Sequence, residues 1–387
     1  MKHFVTLFPA AENVHLVKDV GQIPYQMHRH YGYKSTLVCY KNSSAYPYQN
    51  KEVKGLNIEF IENKGSTFFG EKGALQYLRK NARSIDVLNL YHLTQASLLY
   101  GIIFKLLNPG GILYLKLDFN INRYKKEGFR FSETPVKEKV HQLLFKLFFQ
   151  KADILSVETR EAEQLLKKTN DRFSDLLLYV PNGVDESQIN NYRTNESGPQ
   201  QKENLILTVG RIGQPEKNHN VLLKALADAN LQDWEAIFVG PIRESFQPNI
   251  DQFYKKNPDL KKKIRFTGLV SDREKLFAYY QRAKVFCLPS QSEGFPLALI
   301  EALSFGNYIV GTDAITSIKE VTDNGQFGRI VPAGNAEALS EALEKVTADN
   351  FYDDSMKNDI IEHSKRYHWK SILTELNQRI DKIRENR

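Results

Sequence analysis

The sequence contains few cysteines and no long apolar segment, and both absences narrow the classes of protein it can encode. Two cysteines, Cys39 and Cys287, occur in 387 residues and lie far apart. This excludes a disulfide framework and a zinc site of paired cysteines, so we expect a reducing compartment and two buried, inert thiols. The longest apolar run, ASLLYGIIFKLL (residues 96–107), is interrupted by Lys105 and is too short to span a bilayer.

The surplus of positive charge is confined to the first half of the chain. Residues 1–190 contain 26 Lys and Arg against 19 Asp and Glu, whereas residues 191–387 contain 27 of each. The surplus is densest in residues 101–150, which hold nine basic and four acidic residues. Two interpretations stay open: a solvated surface, or a surface for an anionic partner such as lipid headgroups, phosphates or nucleic acid.

Short β-branched or aromatic runs alternate with longer helical patterns along the whole chain. We predict strands at 3–8, 35–40, 57–61, 86–91, 111–117, 153–157, 176–180, 205–209, 235–239, 264–267, 285–288, 308–310 and 328–331. We predict helices at 22–31, 71–83, 94–107, 135–150, 159–168, 217–229, 248–256, 273–282, 296–305, 335–346 and from 369 onward. This alternation predicts an α/β fold with parallel sheets and crossover helices, and the first residues are typical of a strand rather than of a signal peptide.

The polar segment RTNESGPQQKEN (193–204) has no periodicity and separates two such alternating regions. We therefore expect one Rossmann-like domain over 1–190, a linker over 191–204, a second Rossmann-like domain over 205–365 and a terminal helix over 366–387. A cleft between two doubly wound domains is a natural ligand site.

The stretch PSQSEGFPLALIEALSFG (289–306) places Glu293 in a turn and Glu301 in an apolar helical run. Pro296 suits the first helical position, which makes Phe295 the N-cap, and phenylalanine has no side-chain acceptor. The N–H groups that follow Pro296 favour an anion such as phosphate, and a hydrated helix start is the alternative.

A carboxylate inside an apolar helix needs partners, because burying an unpaired charge is costly. The two adjacent hydroxyls of a ribose would satisfy both oxygens of Glu301. A structural ion pair with an arginine or lysine would satisfy them as well, and the residues alone leave both interpretations open.

These glutamates carry a resemblance to a known family. EGFPLALIEAL (293–303) resembles the E-x7-E signature of the retaining glycosyltransferases of the GT-B fold, family 4, also called glycosyl transferases group 1. In that family the second glutamate binds the ribose of a nucleotide-sugar and the first contacts the donor sugar, which implies these roles for Glu301 and Glu293. The resemblance also implies donor contacts from the turn and helix start: Gly294, Phe295, Pro296 and Leu297.

LILTVGRIGQPEKNHNVLLKAL (205–226) places Arg211 and Lys217 where a strand gives way to a loop and helix. Two such cations can hold a diphosphate, although ordinary surface charges would give the same pattern. The segment resembles the family's GR-x5-K element, in which both cations neutralise the leaving diphosphate. The family usually has glycine after this lysine, and this chain has Asn218.

Further segments of the second half resemble the same family. In RFTGLVSDREKLF, the residues Gly268, Leu269 and Val270 lie where backbone groups hold the nucleotide base. VPNGVD (180–185) resembles the turn that closes the first domain, and YHWKSILTELNQRI resembles the terminal segment that crosses back to it. The resemblance thus covers the chain from about residue 180 to its end.

The residues that the resemblance implies for binding the acceptor lie in the first half of the chain. SIDVLNLYHLTQASLL implies His92 in a loop at the end of a strand, and LYLKLDFN implies Asp118 at the end of the next. HLVKDVGQIPYQMHRHYG occupies the place of a glycine-rich loop, where Gly21 would approach the donor phosphate. A structural hydrogen bond for His92 and a loop cap for Asp118 are the alternatives.

No Asp-x-Asp motif occurs in the sequence. Glycosyltransferases of the other main fold usually need this motif to hold a divalent ion. We therefore expect no metal and no permanently bound cofactor, because Arg211, Lys217 and the helix start would neutralise the diphosphate instead.

These observations predict a retaining glycosyltransferase that moves a sugar from a UDP- or GDP-sugar to a hydroxyl of a glycan or lipid-linked acceptor. Cell-surface polysaccharide or glycoconjugate synthesis is the expected context. The alternatives are a GT-B sugar-nucleotide epimerase or hydrolase, and a basic nucleic-acid-binding protein. Only NRYKKEGFRF (122–131) interleaves basic and aromatic residues, so we expect no nucleic-acid partner.

We expect a cytoplasmic protein, and its basic first half leaves peripheral contact at the inner face of the membrane open. The segment PVKEKVHQLLFKLFFQ (135–150) places Val140, Leu143, Leu144, Leu147 and Phe148 at helical spacing, with lysines around them. A basic amphipathic helix of this kind can lie on an anionic membrane. Core packing of its apolar face is the interpretation that we favour, because a domain of this size needs such helices.

Overall fold

The computed structural model describes residues 2–67, 70–117, 121–129, 134–169, 171–195, 201–348 and 351–387. They divide into two compact units: unit 1 is Met1–Asn182 with Trp369–Arg387, and unit 2 is Gly183–His368. Each unit is built around its own parallel sheet.

Unit 1 contains nine strands in its described residues: β1 (His3–Leu7), β2 (Lys34–Cys39), β3 (Asn57–Phe60), β4 (Ser66–Thr67), β5 (Gly70–Glu71), β6 (Val87–Tyr91), β7 (Ile112–Lys116), β8 (Ile154–Val157) and β9 (Leu177–Tyr179). Its helices are α1 (Asp19–Tyr31), α2 (Pro47–Lys51), α3 (Lys72–Asn81), α4 (Gln95–Leu107), α5 (Ile121–Glu127), α6 (Pro135–Lys151), α7 (Arg160–Thr169), α8 (Asp171–Leu176) and the terminal helix Trp369–Glu385. Two 3-10 turns are Asn13–Val17 and Ala82–Ser84.

Seven of these strands form the parallel sheet, in the order β3-β2-β1-β6-β7-β8-β9, and β4 pairs with β5 in an antiparallel hairpin. The central strands VLNLY and ILYLK are buried along their whole length, as expected for parallel strands covered on both faces. The terminal helix buries Trp369, Leu373 and Leu376 in a cluster that also contains Met27 of α1. The strand order reverses between β1 and β6.

Unit 2 contains β10 (Glu203–Val209), β11 (Glu235–Val239), β12 (Ile264–Phe266), β13 (Ala283–Leu288), β14 (Tyr308–Thr312) and β15 (Gly328–Val331) in its described residues. Its helices are α9 (Glu186–Asn195), α10 (His219–Asp228), α11 (Gln247–Lys256), α12 (Arg273–Arg282), α13 (Leu297–Ser304), α14 (Ile318–Val321), α15 (Ala336–Thr347) and α16 (Asp354–Ser364). Its 3-10 turns are Pro215–Lys217, Glu244–Phe246, Pro258–Lys262 and Lys365–Tyr367.

The sheet of unit 2 is parallel, in the order β12-β11-β10-β13-β14-β15, and its strand order reverses between β10 and β13. The prediction of an α/β fold with parallel sheets is confirmed. Every strand predicted from the sequence is present, and each begins and ends within about two residues of the predicted bounds.

Both cysteines are buried free thiols, and burial raises the pKa of Cys39 to about 12. The prediction of buried thiols is therefore confirmed, and a raised pKa disfavours the reactive thiolate. Across the described ranges, every helix is too short or too polar to cross a bilayer.

The apolar face predicted for α6 is correct only in part. Phe148 is fully buried, and Leu144, Phe145 and Phe149 pack against the same core cluster. Leu143 and Leu147 are instead 58% and 37% exposed. The expectation that both leucines belong to the core face is thus wrong, because that face is centred on Phe148 and its aromatic neighbours.

Candidate functional site

The residues predicted to bind the donor lie at the carboxyl edge of the unit 2 sheet. Arg211 follows β10, and residues 289–296 follow β13, so both segments begin where the strand order reverses. Ligands of doubly wound sheets bind outside the carboxyl ends of the strands at such a switch point. The fold thus brings together two predicted segments that lie far apart in the sequence.

A backbone hydrogen bond joins these two segments. The N–H of Gln291 donates to the carbonyl oxygen of Glu216 at 2.7 Å. On its other side, the carbonyl oxygen of Glu293 accepts from the N–H of Thr316 at 2.9 Å. The turn that carries Lys217 and the loop that carries Glu293 are therefore held at a fixed spacing.

Lys217 and Glu293 form an ion pair between Nζ and Oε1. Their side chains are only 15% and 17% exposed, and the hydroxyl of Ser290 donates to the same carboxylate oxygen at 3.3 Å. The predicted diphosphate cation and the predicted sugar contact are therefore paired with each other. Because the pair is partly buried, dissolved salt screens its attraction less than that of a surface pair.

Arg211 is more loosely held. Its guanidinium lies 3.3 Å from the Glu216 carboxylate, and its side chain is 64% exposed. Exposed ion pairs contribute about 0–1 kcal/mol. Arg211 can therefore leave Glu216 at little cost to meet an anion at the same turn.

Asn218 adopts the left-handed conformation, with φ of 52°. Glycine adopts this conformation most easily, and asparagine is among the few other residues that tolerate it. The N–H of Asn218 donates to the carbonyl oxygen of Pro215 at 3.2 Å, closing the turn before α10. Asparagine therefore keeps the backbone shape for which the family usually has glycine.

His219 supports the loop that carries Arg211, and the sequence analysis did not find it. Its ring is 2% exposed, and its Nδ1 accepts from the N–H of Gly213 at 3.2 Å. Burial, with a smaller contribution from the Lys217 charge, lowers the pKa of His219 to about 4. A neutral imidazole is required here, because a protonated Nδ1 cannot accept.

A close approach of two backbones fixes the neighbouring loops. A Cβ on Gly240 would lie 1.7 Å from the carbonyl oxygen of Gly210, and Gly240 has φ of 143°. The N–H of Gly240 donates to the carbonyl oxygen of Gly268 at 3.0 Å. The predicted base-binding segment 268–270 is thereby tied to the same edge of the sheet, and the side chain of Leu269 is 70% exposed there.

Helix α13 begins one residue later than predicted. Leu297 is its first residue and Pro296 is the N-cap, with an extended ψ of 126°, so the prediction of Phe295 as N-cap is wrong. Phe295 is instead buried, with its ring 5.6 Å from that of Tyr367. No side chain caps this helix, so the conclusion drawn from an uncapped start is unchanged.

Glu301 is 7% exposed and already has protein partners. Arg273 Nη1 lies 2.9 Å from Oε1, and the hydroxyl of Tyr280 donates to Oε2 at 2.9 Å. The structural ion pair, one of the two interpretations of Glu301, is therefore present. Each carboxylate oxygen can accept a further bond, so contact with a ribose stays a prediction.

Arg273 and Tyr280 lie seven residues apart on α12, so both side chains point to the same face. Asp272 caps this helix by accepting from the N–H groups of Glu274 and Lys275 at 3.0 and 3.3 Å. Burial, and then the Glu301 charge, raise the pKa of Tyr280 well above its ordinary value, so its hydroxyl donates as a neutral group. Neither residue was predicted, because nothing in the local sequence pairs them with a carboxylate on another helix.

In unit 1, His92 follows β6 at the point where the strand order reverses. It has φ of 60°, which is uncommon for a residue other than glycine. Its N–H donates to the carbonyl oxygen of Lys116 at 3.0 Å, and its ring lies 5.9 Å from that of Phe8. Strained backbone of this kind is concentrated at functional sites, and the acceptor-side role of His92 stays a prediction.

A buried charge network lies at the same edge of this sheet. Lys116 ends β7, is 1% exposed, and has Glu158 at 2.6 Å and Asp19 at 3.5 Å. Although burial opposes the charge, the two carboxylates raise the pKa of Lys116 above its ordinary value. The sequence analysis missed this residue, and a lysine that closes the apolar strand ILYLK was the available signal.

The remaining predicted residues of the first half differ in their outcome. Gly21 lies in the first turn of α1, and its Cβ would meet the Leu16 backbone at 2.5 Å. The expected glycine-rich loop is therefore wrong, since helix packing accounts for this glycine. Asp118 lies outside the described residues. Its acceptor role and the donor-phosphate role of Gly21 stay predictions.

Among the residues that the structure describes, no three His, Cys, Asp or Glu side chains are grouped to hold a metal ion. The independence from metal stays a prediction.

Residues 192–367 match the family model described as Glycosyl transferases group 1. This part of the chain is similar to the glycosyl transferases group 1. The matched range contains Arg211, Lys217, Glu293 and Glu301, and the recognition based on the E-x7-E stretch is confirmed.

Two curated relatives are similar to this chain over about half of its length. The phosphatidyl-myo-inositol mannosyltransferase of Mycolicibacterium smegmatis is 29% identical over 200 residues, which is 51% of this chain and 50% of the relative. The GalNAc-alpha-(1->4)-GalNAc-alpha-(1->3)-diNAcBac-PP-undecaprenol alpha-1,4-N-acetyl-D-galactosaminyltransferase of Campylobacter jejuni is 30% identical over 180 residues, 45% of this chain and 47% of the relative. The chain spans about half the length of the curated relatives it matches.

The fold is shared over the whole chain. HepE of Anabaena, solved in complex with UDP, superposes on this chain with a TM-score of 0.72 at 16% identity, covering 99% of this chain and 100% of the other. The GT-B fold prediction is confirmed.

Proposed function

We propose that the chain is a retaining glycosyltransferase that moves a sugar from a UDP- or GDP-sugar to a hydroxyl of a glycan or lipid-linked acceptor. One observation carries the proposal: the first glutamate of E-x7-E and the lysine of GR-x5-K are in contact at the β10/β13 switch point. The group 1 match over the same residues supports it. The names of the two curated relatives support a lipid-linked acceptor and a role in glycoconjugate synthesis.

The roles follow from the charge and position of each group. Arg211 and Lys217 neutralise the diphosphate as it leaves, with the uncapped start of α13 as an additional positive pole. Glu301, fixed by Arg273 and Tyr280, accepts from the ribose, and Glu293 accepts from hydroxyls of the donor sugar.

Residues 268–270 supply backbone groups to the base, and Gly294 to Leu297 supply backbone next to the donor. These donors and cations take the place of a metal, so the reaction needs none. His92 and Asp118 are proposed to contact the acceptor.

The test is incubation with a panel of UDP- and GDP-sugars, followed by mass spectrometry for slow hydrolysis of the donor. We expect release of one nucleoside diphosphate in the presence of EDTA, and a transferred sugar of unchanged anomeric configuration once an acceptor is supplied. Interconversion of nucleotide-sugars without cleavage would favour the epimerase instead. Absence of both binding and turnover for every donor would contradict the proposal.

The exposed face of α6 supports peripheral contact with the inner face of an anionic membrane. Leu143 and Leu147 are exposed there together with Lys139 and Lys146, and Leu106 of the adjacent α4 is 65% exposed. Leucines that enter the headgroup region and lysines that meet anionic lipid form a typical interfacial surface. This contact would bring the acceptor side of the enzyme to a lipid-linked substrate.

Co-sedimentation with vesicles of increasing anionic lipid content tests this contact. Binding is expected to rise with anionic lipid and fall with salt, because each lysine near the surface contributes about 1 kcal/mol. Lys139→Gln with Lys146→Gln, or Leu143→Ser with Leu147→Ser, should each weaken binding. Lys224→Gln with Lys345→Gln, in unit 2, are matched controls. A protein that stays in the supernatant with every lipid would favour a soluble sugar acceptor.

A further inference from the structure

We propose that the Lys217–Glu293 ion pair makes the site discriminate between an intact nucleotide-sugar and the nucleoside diphosphate that remains after transfer, and so promotes product release. The inference rests on the proposed function. It concerns how one cation is shared between a protein carboxylate and the ligand.

The geometry leaves Lys217 little freedom to serve both partners. Its Nζ contacts Glu293 Oε1, both side chains are mostly buried, and the Gln291–Glu216 backbone hydrogen bond fixes the spacing of the two segments. A diphosphate that reaches Lys217 must therefore come close to the Glu293 carboxylate. Like charges brought together in a partly buried site repel each other more than in water.

An intact donor compensates for this repulsion. Hydroxyls of its sugar donate to the Glu293 carboxylate and replace Lys217 as the partner, while Lys217 turns to the diphosphate. Hydrogen bonds to an ionised acceptor are the stronger kind. Both charged side chains are then satisfied in the donor complex.

The product has no sugar and offers no such donor. Glu293 then keeps the Ser290 hydroxyl but gains no sugar hydroxyl. Its carboxylate faces the diphosphate and competes for Lys217, which weakens the binding of the nucleoside diphosphate. Arg211 imposes no comparable competition, because its Glu216 partner is more exposed and lies at 3.3 Å. The discrimination therefore depends on Glu293.

Calorimetric titration of wild type and Glu293→Gln with UDP and UDP-glucose, and with GDP and GDP-mannose, tests the proposal. Glutamine keeps the shape and removes the charge. We expect the affinity for the nucleoside diphosphate to rise about fivefold or more, whereas the affinity for the matching nucleotide-sugar stays the same or falls. Glu293→Ala should shift the ratio of the two affinities in the same direction. It provides a second test of the proposal if Glu293→Gln folds poorly.

Two further variants test whether the change in the ratio is specific to the Glu293 charge and whether it depends on Lys217. Glu235→Gln removes an equal charge from the exposed pair with Arg265 at the opposite end of β11, and should leave the ratio unchanged. In a Lys217→Gln background, Glu293→Gln should change the ratio by less than it does in wild type, because the competition for the lysine is absent there. Unchanged or weaker binding of the nucleoside diphosphate to Glu293→Gln would overturn the inference while leaving the proposed function intact. Failure of wild type to bind any of the four ligands would overturn the proposed function itself.

Discussion

Replacing Glu301 by glutamine removes a buried negative charge and keeps the shape of the side chain. In the wild type, Arg273 and Tyr280 both contact this carboxylate at 2.9 Å. After the substitution Arg273 faces a neutral amide and Tyr280 loses a charged acceptor. We therefore expect the free energy of unfolding of unit 2 to fall.

The size of the effect follows from exposure. Removing one partner of a fully buried pair costs about 3–5 kcal/mol, and a hydrogen bond to a charged group contributes about 1.5–3 kcal/mol. The side chain of Arg273 is 22% exposed, so water can replace part of the lost contact. We expect a loss of about 2 kcal/mol, within that hydrogen-bond range.

Urea denaturation and thermal unfolding measure this loss. A loss of about 2 kcal/mol lowers the Tm of a unit of this size by about 4–8 °C. Glu235→Gln is the matched control, since its pair with Arg265 is exposed and should contribute no more than about 1 kcal/mol. Unchanged or higher stability of Glu301→Gln would refute the reasoning.

Glu301→Gln also distinguishes a structural role of Glu301 from a role in binding the nucleotide. If Glu301 also accepts from a ribose, affinity for UDP or GDP should fall about ten- to a hundredfold, the equivalent of a lost hydrogen bond to a charged group. Lower stability with unchanged nucleotide affinity would make Glu301 a structural partner of Arg273 alone.

Two other predictions concern the loop and turn after β10. Arg211→Ala and Lys217→Ala should each lower kcat by the equivalent of about 2–4 kcal/mol, measured with the donor found in the panel; a double variant within twofold of wild type contradicts the role. His219 has a folded pKa of about 4 against an ordinary 6.5, so the unfolded chain binds its proton first as the pH falls. Relative to His219→Gln, wild type should therefore lose about 3 kcal/mol of unfolding free energy between pH 6.5 and 4, measured by urea denaturation. Free energies of unfolding that change with pH in parallel for the two proteins would contradict this.

The regular elements were predictable because the parallel strands are apolar throughout and separated by amphipathic helices. Composition alone predicts buried strands for the segments VLNLY and ILYLK. Helices α9 and α16 were missed because few of their residues are apolar and their pattern is set by contacts with the rest of unit 2. The hairpin β4–β5 was missed because strands of two residues carry no periodicity.

The candidate site was predictable where chemistry is carried by adjacent residues, and not where the fold brings distant ones together. The E-x7-E and GR-x5-K elements are visible in the sequence. The partners of Glu301 were not visible, because Arg273 and Tyr280 come from a separate helix and nothing local pairs them with a carboxylate. The pairing of Lys217 with Glu293 likewise depends on two loops that meet only through the order of β10 and β13.

Under the proposed function, in which residues 268–270 bind the base of the donor, the contact between Gly240 and the carbonyl oxygen of Gly210 limits where donor specificity can be engineered. Any side chain at position 240 would displace the end of β10, so this position must be kept constant in a mutant library. Leu269 projects into solvent from a loop tied to the same contact, and it can change in size without disturbing the sheet. Randomising Leu269 while leaving both glycines untouched is therefore the conservative route to altered specificity.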